Sequence, residues 1–426
     1  MDLNWNTPIG EIVFLPVYGS SESKDEYEDS TYTDDDGVKW WALGGHQDKM
    51  REKSVELRLS SNEGAFMEYI IGLYYYDRFW RKGGETLGYL YGDGKTRQVL
   101  GPYNYRDMDN ENKAAFANLK FPISNAFRLS AGGRYTADKE SDYSYNPVPR
   151  NPADPIESWE DYSSSHFDYK LGFEYDLNQD AMLWGDYATG YKAIVMSGQS
   201  QTLKSYQIGV KSRIFDQKLQ LNATAWYYDY MNFDVDTSKA YYSEGVQYSD
   251  RGTGIGDGTL YGLDVSSDYV LTENDLMNLS VAYMFSEISD MLITYQDYYP
   301  PDRVLEGMTL NNSPEWSITA SYEHRFNLRN GGSLTPKFNI LYQTEKTVTF
   351  FPEAMFFPGI DVNKANTEPA HHISGASLLY NEPNRKWNLN AYVKNIENHA
   401  EKVSMHAVWF RIGEPRTYGI VVSVKF

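Results

Sequence analysis

His371 and His372, with Glu368 just upstream, have the side-chain types of a metal site. They fall in a stretch that reads as a strand, where adjacent residues point to opposite faces. The two imidazoles therefore do not share an ion, and the pair is read as marking a strand mouth. Asp34-Asp-Asp36, with Glu26, Glu28 and Asp29 nearby, offers the hard oxygens that calcium prefers. The spacing is not that of an EF-hand, so this run is read as a solvated loop, with loop-bound calcium as the minor alternative. Gly252-Thr-Gly-Ile-Gly-Asp-Gly258 echoes a nucleotide-binding glycine cluster but lacks the strand-to-helix context, and a loop or turn between two strands is expected there. HExxH and GxSxG are absent, and the absence of cysteine removes disulfides, thiolate metal sites and cysteine nucleophiles. No catalytic residue, metal ligand or cofactor is assigned, and the chain is not expected to be an enzyme.

Binding is better served than catalysis. Trp40-Trp41, Tyr298-Tyr299, Phe356-Phe357 and Trp409-Phe410 are aromatic pairs in segments between the strands. Rigid amphipathic rings give contact area at low entropic cost. Arg411 follows the last pair, and a guanidinium can fork two oxygens of an anionic chelate. The competing reading of these rings is packing of loop on loop, or a girdle at a membrane interface.

The elements that would hold such loops are strands. At the C-terminus Tyr418, Ile420, Val422, Val424 and Phe426 recur at two-residue intervals, with Gly419, Val421, Ser423 and Lys425 between them. One face is apolar with an aromatic at each end, as in the closing strand of an outer-membrane barrel. The same alternation marks sixteen spans: 9–27, 51–60, 66–82, 109–122, 126–145, 164–177, 181–195, 203–215, 218–237, 257–271, 276–288, 315–328, 332–350, 371–382, 387–401 and 415–426. Every second connection is a tight polar turn: Ser61–Gly64, Pro122–Asn125, Asn178–Asp180, Asp216–Lys218, Thr272–Asp275, Arg329–Gly332 and Glu382–Arg385. Those between are mostly long, at 28–50, 83–108, 146–163, 238–256, 289–314 and 351–370, with shorter ones at 196–202 and 402–414. Short turns on one side and long loops on the other predict an all-β, transmembrane antiparallel barrel. A mean hydropathy of -0.59 is compatible with that, because alternating strands hide their apolar face from any window average. Aromatic residues make up 15% of the chain. The net charge of -20 argues against nucleic acid and suits acidic loops facing a cation-bridged lipopolysaccharide layer.

Several motifs then converge on one family. Glu56-Leu-Arg-Leu-Ser-Ser61, Ile71-Gly-Leu-Tyr-Tyr-Tyr76, Leu129-Ser-Ala-Gly-Gly-Arg-Tyr-Thr136, Tyr187-Ala-Thr-Gly-Tyr-Lys-Ala193 and Ser205-Tyr-Gln-Ile-Gly-Val-Lys-Ser212 occur in order. Val393-Lys-Asn-Ile-Glu-Asn398 and Gly413-Glu-Pro-Arg-Thr-Tyr-Gly419 follow. In this order and spacing the chain resembles the barrel of TonB-dependent outer-membrane receptors over nearly all of residues 1–426. The resemblance implies a 22-stranded barrel, of which about sixteen strands are counted here. It also implies a signal peptide, a TonB box and a plug, none of which the sequence contains, so the chain is expected to be the C-terminal part of a longer protein. Further implications are uptake of a scarce ligand, foremost a ferric siderophore, with Arg58 and Arg134 facing the plug. The implied partners are outer-membrane lipid and lipopolysaccharide, the barrel-assembly machinery, a small-molecule ligand, and TonB through the missing region, with the protein a monomer. The rival expectation is a passive, plugless pore.

Overall fold

Regular two-residue alternation over long stretches leaves little choice but extended chain, and strands are what form. The computed structural model describes residues 2–33, 39–83, 88–90, 97–99, 105–145, 156–193, 200–243, 246–295, 302–348, 366–406 and 409–425, with no helix among them. The strands divide between two compact units. The first, built mainly from residues 1–122 and 129–170, holds β1 (Leu3–Thr7), β2 (Gly10–Thr33), β3 (Lys39–Ser60), β4 (Glu68–Gly83), β5 (Gly88–Leu90), β6 (Arg97–Val99) and β7 (Tyr105–Pro122). It also takes most of β8 (Phe127–Tyr145) and the first part of β9 (Glu157–Asn178).

The second unit, mainly residues 171–190 and 201–426, begins with β10 (Ala181–Lys192), β11 (Gln201–Ile214), β12 (Leu219–Ser243), β13 (Val246–Thr272) and β14 (Asp275–Tyr295). Then follow β15 (Asp302–Met308), β16 (Trp316–His324), β17 (Phe326–Asn327), β18 (Ser333–Gln343), β19 (Lys346–Thr347) and β20 (Thr367–Glu368). The last are β21 (His371–Asn381), β22 (Trp387–Lys394), β23 (Lys402–His406), β24 (Trp409–Ile412) and β25 (Thr417–Val424). Twenty-one of these belong to one sheet, whereas β19–β20 and β23–β24 each form a separate two-stranded ribbon. The registers are antiparallel throughout, for instance Tyr206↔Tyr227 in β11–β12 and Ala391↔Ile420 in β22–β25.

Each of the sixteen expected spans contains a strand, and each of the seven tight turns falls where expected. Local chemistry explains the turns. The Asp180 amide donates to Asn178 Oδ1 (2.8 Å), and Phe215, Asp216 and Gln217 carry φ of 53°, 53° and 63° to reverse the chain between β11 and β12. Gly331, at φ 88°, does the same between β17 and β18, where a side chain would be strained.

The long connections differ from expectation. Residues 28–50 are mostly strand, because β2 continues to Thr33 and β3 starts at Lys39. Residues 238–256 are likewise strand to Ser243 and again from Val246. The Gly252–Gly258 run lies inside β13 rather than in a loop or turn. Likewise β5 and β6 occupy part of 83–108, and β15 part of 289–314. The physical reason is that the backbone ladder needs no hydrophobic face. The hydrogen bonds therefore continue where the regular alternation of the apolar band has stopped.

Candidate functional site

In the second unit the register lines up side chains in rows across the strands. Tyr206, Tyr227, Tyr261 and Phe285 are successive partners on β11 to β14. Two residues along come Ile208, Ala225, Leu263, Tyr283 and, on β16, Trp316. The next row is Val210, Ala223, Val265, Val281 and Ile318. Tyr269, Met277, Tyr322 and Phe338 form another aromatic row further down. From Tyr261 to Tyr269 is about 26 Å along a strand at roughly 3.3 Å per residue. At the usual tilt that is about 20 Å of height, close to the apolar band of a membrane-spanning strand. Ring pairs run along these rows, with centroids 4.9 Å apart for Tyr261–Phe285 and for Tyr283–Trp316.

The first unit repeats the pattern. Phe14, Leu57, Leu73 and Ala115 form one row and Ile12, Leu59, Ile71 and Ala117 the next, with Tyr69 and Tyr75 beyond them on β4. Leu73 is 58% exposed and Ile71 48%. Only seven hydrophobic residues are buried among those described: Val13, Ala114, Phe233, Ile288, Met291, Ile293 and Val348. A water-soluble chain of this size would invert that distribution, because contiguous apolar patches beyond a few hundred Å² are rare on soluble surfaces.

The opposite face of the same strands is polar and mutually bonded. Trp226 donates to Asp264 (2.8 Å), Asn278 to Asp268 (2.5 Å) and Ser321 to Asn278 (2.9 Å). Arg128 forks Asp176 with two bonds of 2.6 Å and reaches Glu174 at 2.8 Å. Past the apolar rows of the first unit, Arg81 forks Asp107 (2.6 Å) and Arg106 binds Asp142, its Nε 2.8 Å from Oδ1. Burial pushes the carboxyls of Asp109 and Glu140 up in this region, and the neighbouring acids push in the same direction. A sheet with one apolar and one hydrogen-bonded face can cross a membrane and present the polar face to water or to other polypeptide.

Arg58 and Arg134 both stand on the polar side, since Arg58 is in register with Val13 and Gly72 while Leu57 and Leu59 take the apolar rows. Arg58 contacts Glu56 at 3.3 Å, and its buried Nε lacks a hydrogen-bond partner. Arg134 donates to Thr136 (3.1 Å) and lies over the rings of Tyr74 and Phe116, 5.5 and 5.8 Å from their centroids. Tyr418, Ile420, Val422 and Val424 lie in β25, paired with Val393, Ala391, Leu389 and Trp387, and are 53% exposed or more. Phe426 lies outside the described residues.

The aromatic pairs fare unevenly. Trp40 and Trp41 lie in β3 opposite Tyr32 and Thr31, not in a loop. Trp409, Phe410 and Arg411 lie in β24, in register with His406, Met405 and Ser404, so residues 402–406 and 409–412 pair as a strand ribbon rather than an open connection. Arg411 is exposed. Tyr298, Tyr299, Phe356 and Phe357 lie outside the described residues, as do Asp34, Asp35 and Asp36.

His371 and His372 separate as strand geometry requires: the side chain of His371 is 5% exposed and that of His372 55%. What the sequence did not reveal is that His399 comes back to His371, the ring centroids lying 4.6 Å apart. The Val393–Asn398 motif does this. Asn395 and Asn398 adopt φ of 51° and 55°, and Asn395 ties the turn by donating to His399 O and accepting from His399 N, both at 2.9 Å. Asparagine is among the few residues that accept this conformation, so the paired asparagines were the available signal.

Residues 3–396 match the family described as TonB dependent receptor-like, β-barrel. No curated protein sequence matches the chain. Among solved structures it is similar to the siderophore receptor PiuA of Acinetobacter baumannii, with a TM-score of 0.72 and 15% identity over 99% of this chain and 63% of that one. The ferric yersiniabactin uptake receptor of Yersinia pestis gives 0.67 and 13% over 99% and 63%. The closed form of the ferric-catecholate import receptor of E. coli gives 0.66 and 14% over 98% and 62%. The chain thus spans a little over three fifths of the length of these receptors. With a match over most of its length and a sheet apolar on one face and polar on the other, the chain belongs to the TonB-dependent receptor β-barrel family of the bacterial outer membrane.

Proposed function

We propose that the protein takes up a ferric siderophore across the outer membrane in a process energised through TonB. The observation that carries this reading is the two-faced sheet: aromatic-edged apolar rows for lipid on one face, and a hydrogen-bonded polar face for a lumen on the other. Family membership and the names of the similar receptors support iron chelates as the ligand class. Capture falls to the segments beyond the apolar rows, with Trp40, Trp41, Tyr298, Tyr299, Phe356, Phe357, Trp409 and Phe410 as contact surfaces. Arg411 is the fork for an anionic oxygen pair. Arg58 and Arg134 act as contacts for a plug. The barrel-assembly machinery inserts the protein, lipopolysaccharide surrounds it, and it works as a monomer.

The test is iron-limited growth of a strain deleted for its own receptors and carrying this protein in its full-length form, supplied with a panel of ferric siderophores. Growth on one chelate that is lost on deleting TonB is the expected result. In the same strain Arg411→Ala should weaken binding of that chelate several-fold. Uptake indifferent to TonB, with conductance in a planar bilayer, would replace this reading with a passive pore.

A further inference from the structure

Glu368 is 1% exposed, among the most deeply buried side chains of the second unit. Its Oε1 lies 2.7 Å from His399 Nε2 and 3.7 Å from His371 Nδ1, and its Oε2 accepts from the Lys402 amide at 2.9 Å. Among the described residues no lysine or arginine side chain pairs with it. Lys346, in register with Glu368, holds Glu401 at 2.7 Å, and the Lys402 ammonium donates to the Thr367 carbonyl at 2.8 Å. A buried carboxylate needs a compensating cation, since leaving the charge unpaired costs several kcal/mol or more.

His371 faces the same requirement from the other side. Its Nδ1 lies 3.0 Å from the Pro369 carbonyl, which can only accept, so Nδ1 carries a proton, and in the neutral imidazole Nε2 presents a lone pair. That Nε2 is buried, has no hydrogen-bond partner, and faces Glu401 Oε1 at 3.7 Å. A lone pair opposite a carboxylate oxygen is repulsive, so a proton or a metal ion must lie on Nε2. An imidazole whose other nitrogen donates to a backbone carbonyl is also the usual orientation of a metal-ligating histidine. One ligand atom each from Glu368, His371 and His399 lie within 4.8 Å of one another. Two ligands about 2.0–2.1 Å from a tetrahedral ion stand roughly 3.4 Å apart, so closing this set around an ion takes about an ångström of adjustment.

We propose that Glu368, His371 and His399 form a site for a divalent transition-metal cation of the zinc class, with Glu401 as the nearest further oxygen. Two imidazoles and a carboxylate suit zinc and its first-row neighbours better than calcium or magnesium, which favour all-oxygen sets. The ion would displace the hydrogen between His399 and Glu368, leaving His399 to bind through Nε2 with its proton on Nδ1. It would also join β20 and the start of β21 to the turn after β22, 31 residues beyond Glu368. The proposal is independent of which chelate the receptor transports.

The test uses tag-free protein folded in detergent, cleared of metal with a chelator and titrated with Zn²⁺ by calorimetry. One ion per chain is expected, with a raised unfolding temperature. Glu368→Gln and His399→Ala should each weaken binding by at least about tenfold. His372→Ala, on the opposite face of the strand, should leave it unchanged. X-ray absorption on the zinc-loaded unmodified chain needs no substitution and should show two imidazoles with oxygen at about 2.0–2.1 Å. An absence of saturable binding, affinity untouched by the two ligand variants, or a spectrum without imidazole would overturn the proposal.

Discussion

Single side chains decide how the short turns close. Asp275, at the turn between β13 and β14, accepts from Thr272 Oγ1, from Tyr322 Oη at 2.6 Å and pairs with His324 Nδ1 at 2.6 Å. These bonds, that of Thr272 foremost, lower its carboxyl from 3.8 to about 2. A depressed acid stabilises the fold above its unfolded pKa, and that contribution is lost as the pH falls through the folded value. Asp275→Asn should therefore lower the unfolding temperature at neutral pH. Its deficit against the parent should stay constant down to about pH 5 and close as the pH approaches 2. Thermal unfolding across that range is the measurement, and a deficit that persists at pH 2 would place the effect outside ionisation. The Thr272–Asp275 turn itself was readable from residue types, whereas the clasp by Tyr322 and His324 was not. Those two sit 47 and 49 residues away, and only the β14–β16 register brings them alongside.

At the scale of elements, β13 shows why an apparently irregular segment can be strand. Gly254 and Gly256 leave one face of it without side chains, and its neighbours fold over the gap. Phe233 from β12 and Ile288, Met291 and Ile293 from β14 form a buried cluster there. A Cβ on Gly256 would stand 2.2 Å from the Asp290 carbonyl oxygen, and one on Gly254 2.8 Å from Met291 Sδ. Backbone cannot yield as a side chain can, so Gly256→Val should open the far ends of β12 to β14. Limited proteolysis should then cut within 230–295 much faster than in the parent, while heat-modifiable migration on a gel persists. Unchanged protease resistance would mean that the cluster contributes little. Glycine spacing taken from sequence suggests looseness, and here the neighbours' side chains give it the opposite meaning.

For the molecule as a whole, lipid on the apolar face and water or polypeptide on the polar one give substitutions a sidedness. Val281 lies in the middle of the apolar rows, and an arginine there should cost about 2–4 kcal/mol and deplete the folded form in membranes. Thr224→Arg, on the other face and in register with Asp264, should be tolerated. Folding yield into lipid vesicles measures both, and equal losses would contradict the assignment of faces. The sixteen main strands, their turns and the two faces were determined by the sequence, because period-two alternation and turn residues are local properties carried by each segment alone. Tertiary structure decided where the strands end, because hydrogen-bonded ladders continue after the hydrophobic signal has stopped. It alone also decided that Glu368, His371 and His399 meet, since residues up to 31 positions apart become neighbours only when β20, β21 and the turn beyond β22 pack together.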